Sequence, residues 1–129
     1  MAPETRLRQG MTRILAIGHL VFFLAWLFPF HGPVLPGRLN IPAVVASNAP
    51  VWTVGFGVTA ALLIVAVIRR SMAAWGHAVG AVATMSYGAA SLFSALFSTP
   101  YGSVLPGGAF LLIAAWHYAL QRYYRGAGA

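Results

Sequence analysis

From Ile14 to Leu120 the chain carries only three charged side chains, Arg38, Arg69 and Arg70. A water-facing surface cannot be built from such a stretch. Soluble domains are about 25% charged, whereas these 129 residues are 7% charged and 60% hydrophobic. Lipid is the solvent that suits the chain. Proline- and glycine-bearing connections and one arginine pair divide the apolar sequence into four runs. The expected fold is therefore all-α: a polytopic membrane protein with four transmembrane helices in one bundle. The expected spans cover about 12–30, 50–69, 72–98 and 105–122, within a single membrane domain over 1–129, with an outer loop at 31–49.

The first run is preceded by Arg6, Arg8 and Arg13 and ended by Pro29 and Pro33. A secretory signal also has a basic start and a short apolar stretch. The nearest small-residue cleavage-like site, Ser47-Asn48-Ala49, lies far beyond that stretch, so an uncleaved span is expected. Ser47 or Asn48 is placed to cap the second span, with Pro50 in its first turn, where a missing N–H costs nothing. Arg69 and Arg70 end that span, and a tight turn around Ser71 leads into the third. A fourth run closes with Gln121, Arg122, Tyr123, Tyr124 and Arg125.

All eight basic residues are arginine, and the one acid is Glu4. The net charge of +7 would suit nucleic acid in a soluble protein, but these arginines stand just outside the apolar runs. Arg13, Arg69, Arg70, Arg122 and Arg125 are placed to meet lipid headgroups and set topology. With both ends in the cytoplasm, seven arginines lie inside and only Arg38 outside, as the positive-inside rule requires. Trp26, Trp52 and Tyr101 then approach the outer interface, and Trp75, Tyr118, Tyr123 and Tyr124 the inner one. The expected location is the inner (cytoplasmic) membrane, and the expected partners are the bilayer and other copies or a larger membrane complex, not nucleic acid. Arginine without lysine, amid abundant Ala, Gly and Pro, is the composition of a GC-rich bacterial or phage genome.

The third run holds the most regular pattern. His77, Gly80, Thr84, Tyr87, Ser91, Ser94 and Ser98 recur at steps of three and four, a 3.5-residue period that lines one seam of a helix. Gly76 and Gly80 form a Gly-x-x-x-Gly pair, and Gly88 extends the small-residue stripe, which lets backbones approach closely in lipid. One reading is simple packing, with hydroxyls bonded to the carbonyl one turn back. The other is a hydrated path or a self-association face.

Three histidines form the second pattern. Counted from Arg13, Arg70 and Arg122 at about 1.5 Å per residue, His19, His77 and His117 lie at one depth, about 7–11 Å inside the cytoplasmic boundary. Ionisable groups there are costly and suggest function. Three imidazoles at one depth suit a transition metal, and two suit a haem iron; proton handling and plain interhelical hydrogen bonding are the alternatives. No span contains Asp or Glu, so the carboxylate that often orients a metal-bound histidine is missing, and no cofactor is expected by default. His31 falls in the outer loop.

Enzymatic chemistry is poorly provided for. Glu4 alone cannot supply acid–base pairs or a Ser-His-Asp triad, and the third-span serines lie away from the histidines. The absence of cysteine removes thiol and iron–sulfur chemistry.

In size and span number the chain resembles phage holins, small proteins that assemble in the inner membrane before lysis. That likeness is one of format and gives no residue a role. The first-span glutamate of four-span drug exporters is missing, and Ser91–Tyr101 does not match the phenylalanine box of fluoride channels. The expectation is a non-enzymatic accessory subunit or self-assembling membrane component. A holin-like pore former and a haem- or metal-binding subunit are the alternatives.

Overall fold

The computed structural model describes residues 3–28, 40–48, 50–98 and 103–126. Among them the regular structure is entirely helical: α1 (Pro3–Leu27), α2 (Ile41–Asn48), α3 (Val51–Ile68), a 3-10 turn (Arg70–Met72), α4 (Ala73–Phe97) and α5 (Leu105–Gly126). Three helices are long and apolar enough to cross a membrane, over Arg6–Leu27, Val51–Ile68 and Arg70–Phe97. The expected fourth span is also a continuous helix, of 22 residues. Its apolarity falls short of the other three because His117, Gln121, Arg122 and Arg125 lie within it. His31, Arg38 and Tyr101, with most of the expected outer loop, lie outside the described residues.

Helix ends depart from the sequence expectation where charge and helix stop at different places. α1 begins at Pro3, well before the apolar run that starts at Ile14. Arginine and glutamine are good helix formers, so the basic segment continues the helix instead of preceding it. The expected outer loop contains α2, whose first turn is held from two sides. Asn40 Oδ1 accepts the Ala43 N–H at 3.0 Å, and Ser94 Oγ on α4 accepts the Ile41 N–H at 2.8 Å. Capping of the second span also differs. Pro50 is itself the residue before α3 and no side chain caps it, while Ser47 and Asn48 belong to α2.

The reversal between α3 and α4 is as tight as expected. Arg69 takes an extended conformation, with φ −117° and ψ 98°, and one 3-10 turn then leads into α4. Val51–Ile68 is rich in β-branched residues, which are mediocre helix formers in water. In an apolar solvent the backbone must bond to itself, and that requirement overrides side-chain preference.

α1 packs on α3, α3 on α4, and α4 on α5. The closest approach joins α4 to α5. A Cβ at Gly107 would stand 2.8 Å from the Leu92 amide nitrogen and 2.9 Å from the Gly88 carbonyl oxygen. Between the helices, Trp52, Phe56 and Phe110 form an aromatic core, flanked by Phe22, Phe23, Trp26 and Tyr87. Tyr87 and Phe110 have ring centroids 4.5 Å apart, within the range where aromatic pairs attract beyond area burial. Outward positions are apolar as well: Ile14, Ile68, Val82 and Leu112 are 67–79% exposed. Helices apolar on every face are those of a lipid environment.

Candidate functional site

Polar chemistry collects at one end of this packing, on α1, α4 and α5. Thr12 of α1 is buried, and its hydroxyl donates to the Arg8 carbonyl one turn back at 3.1 Å. That uses its single proton, so its other two contacts are acceptances. The hydroxyl oxygen receives His77 Nε2–H at 3.1 Å and the Tyr124 hydroxyl at 3.3 Å. His77 is then protonated on Nε2, and its Nδ1 carries a lone pair. His117 Nδ1, 3.0 Å away, is the donor to that lone pair. The protons are assigned from this network by the donor and acceptor capacity of each group.

His19 completes the cluster. Its Nδ1 lies 2.8 Å from the Leu15 carbonyl oxygen, which can only accept, so the proton sits on Nδ1. Its ring meets that of His117 edge-on with centroids 4.9 Å apart, and lies 5.7 Å from Phe56. His77 stacks on Tyr124 at 5.6 Å, nearly parallel. The three histidines expected at one depth are thus brought together, at 3%, 0% and 0% exposure for His19, His77 and His117.

They are not three equivalent ligands. Both nitrogens of His77 are engaged, while Nε2 of His19 and Nε2 of His117 have no protein partner. Among the described residues no group of three or more His, Asp or Glu side chains is arranged to hold a metal ion. A haem iron held by His19 and His117 would need a flat porphyrin between the two rings, and their edge-on contact leaves no such slot.

The seam on α4 is consumed within the chain. Gly76 faces Leu62 and Leu63 of α3, and Gly88 faces Gly107, Phe110 and Leu111 of α5. Gly80 forms the floor beneath His117: a Cβ there would lie 2.5–2.9 Å from three atoms of the imidazole ring. The hydroxyl row bonds backward as in the packing reading. Thr84 donates to the Gly80 carbonyl at 2.6 Å, Ser94 to Ala90 at 2.7 Å and Ser98 to Ser94 at 2.5 Å. Tyr87 stands edge-on to Trp52 at 5.2 Å and to Trp26 at 5.9 Å.

Arg13, Arg69, Arg70, Arg122 and Arg125 are exposed, and the Arg8 guanidinium lies 3.5 Å over the Tyr123 ring. Sequence reasoning missed Thr12, Tyr124 and Gly107. A lone threonine in a basic segment and a glycine beside a proline carry no periodic signal of their roles. No known protein family matches this chain, and no curated protein or solved structure matches it either.

Proposed function

We propose that this is a non-catalytic, four-span protein of the cytoplasmic membrane, with both ends inside, that works by lateral association with other membrane helices. The topology is supported by contacts at one end of the packing. Thr12 near the start of α1 meets His77 near the start of α4 and Tyr124 near the end of α5, so both termini and the α3–α4 turn share that end. Seven arginines are there, and the positive-inside rule assigns it to the cytoplasm. Because the chain has no cysteine, single-cysteine variants test this directly. In intact cells an impermeant thiol reagent is expected to label Ser103→Cys and to spare Ser71→Cys and Gly126→Cys until lysis. Labelling of only one of the last two in intact cells would refute the topology.

One observation carries the association reading. A groove of about 400 Å³ runs between α3 and α4, on the side of α4 opposite the consumed seam. Gly55 of α3 and Ala78, Ala83 and Ser86 of α4 form its small-residue part, flanked by the bulkier Val51, Trp52, Phe56, Trp75, Val79 and Val82. In lipid, helices associate through close van der Waals contact at small residues, and this groove offers such a surface to a partner helix. Disulfide trapping in native membranes is expected to give adducts through Ala78→Cys and Ser86→Cys. A single heterologous adduct marks an accessory subunit, whereas a disulfide-linked homodimer marks self-association, as self-assembly of the holin type requires. Monomer alone from both variants would defeat the proposal.

A further inference from the structure

Two lone pairs in the interior of this protein have no protein partner: Nε2 of His19 and Nε2 of His117. Buried polar groups are nearly always paired, and an unpaired one calls for a ligand or another specific cause. Here two such atoms belong to rings in direct contact, 4.9 Å between centroids. Each ring is also fixed from its far side. His19 Nδ1–H is held by the Leu15 carbonyl at 2.8 Å, and His117 Nδ1–H by His77 Nδ1 at 3.0 Å. A metal-bound imidazole is oriented in just this way, its second N–H held by a carbonyl or other acceptor that raises the basicity of the ligating nitrogen. The missing carboxylate is therefore replaced by a main-chain oxygen and a third histidine.

The surroundings select the ion. Imidazole suits zinc, copper, iron and nickel. The cluster contains no carboxylate, and its remaining neighbours include Phe56 beside His19 and the Gly80 backbone beneath His117. The cost of burying an ion in a low-dielectric interior rises with the square of its charge, so a dication held by neutral ligands alone is strongly disfavoured. Of the imidazole-seeking metals, copper is the one with a stable monovalent form. We propose that Nε2 of His19 and Nε2 of His117 form a two-imidazole site for monovalent copper, Cu(I), with His77 as the positioning residue behind His117. With metal–nitrogen bonds of about 2.0 Å, rings this close are too near for a linear N–Cu–N bridge, so the proposed site requires the two Nε2 atoms to meet the ion at a bend, open to an exchangeable third ligand.

Near the pair, a cleft of about 190 Å³ lies between α1 and α5, lined by Leu15, Leu112, Ile113 and Trp116. Leu15 stands one turn before His19, and Ile113 one turn before His117. The site does not depend on the groove between α3 and α4, so either proposal can fail without the other.

The test uses the full chain purified in detergent, kept anaerobic and reduced, in a His31→Ala background that removes the fourth imidazole. Cu(I) is supplied in competition with a chromophoric Cu(I) chelator. One Cu(I) per chain is expected, with at least tenfold weaker binding in His19→Phe and in His117→Asn, and with Ag(I) but not Zn(II) displacing it. A second measurement needs no site variant. In the ¹⁵N spectrum, Ag(I) is expected to shift the Nε2 resonances of His19 and His117 and to spare His77 Nε2. The proposal is overturned by a folded chain that takes up no Cu(I), by uptake undiminished in both variants, by displacement with Zn(II), or by Ag(I) shifts confined to other residues.

Discussion

Alanine at Gly107 is expected to destabilise the protein by about 3 kcal/mol or more, while alanine at Gly108 leaves it unchanged or about 0.5–1 kcal/mol more stable. The two glycines are adjacent in α5 and have the same intrinsic preference, so the contrast isolates packing. A methyl group at Gly107 would meet the Leu92 amide nitrogen at 2.8 Å and the Gly88 carbonyl oxygen at 2.9 Å. Both are main-chain atoms of α4 and neither can rotate away. The helices must then separate, opening the contact between Gly88 and Phe110 and loosening the Tyr87–Phe110 pair. A methyl at Gly108 meets nothing within 4 Å, and alanine restores the helix preference that glycine lacks. Denaturant unfolding in mixed micelles would measure both. Equal effects at the two positions would show that α4 and α5 do not approach as closely as described.

Gly107 also marks a boundary of what sequence can tell. The α4 seam was readable because His77, Gly80, Thr84 and Ser94 repeat at a helical period within one segment. Where α5 lands on that seam is a long-range property, so the partner of Gly88 could not be read from Pro106-Gly107-Gly108, which resembles the start of any helix. α2 was hidden for a related reason. Its first amide is held by a hydroxyl 53 positions away in sequence, and a proline-rich stretch shows none of this.

The three histidines were found by counting from arginines, which gives depth. Depth says nothing of azimuth, and only packing decides that His77 is engaged at both nitrogens while its neighbours each keep one free. Missing carboxylates are visible in the sequence, whereas the main-chain carbonyl that holds His19 is not. The Leu15 oxygen holds His19 as an acid would, without a buried charge. The arginine boundaries located the α3–α4 reversal well and the start of α1 poorly. Charge marks where a lipid phase ends, and a helix is free to continue past it.

Replacing Thr12 by valine is expected to cost about 2–3 kcal/mol and to reverse the proton order of the histidine chain. Valine keeps the shape of threonine and removes its oxygen, which now accepts from both His77 Nε2 and the Tyr124 hydroxyl. Each donor left unpaired costs about 1–3 kcal/mol when buried. His77 Nε2 and the Tyr124 hydroxyl, which share that oxygen, can recover one bond between themselves if His77 moves its proton to Nδ1 and its Nε2 accepts from Tyr124. His117 Nδ1 must then accept, and the His117 proton moves to Nε2. Two tautomers change although neither histidine has been altered. In ¹⁵N spectra the protonated nitrogens of His77 and His117 should exchange identity while His19, held by Leu15, stays as it was. Cu(I) binding should weaken at least tenfold, because one of its two lone pairs is now protonated, and Thr12→Ser should restore both tautomers and binding. If Thr12→Val left the His117 tautomer unchanged, the proton order would not be set from Thr12. The free nitrogen of His117 would then need another physical cause.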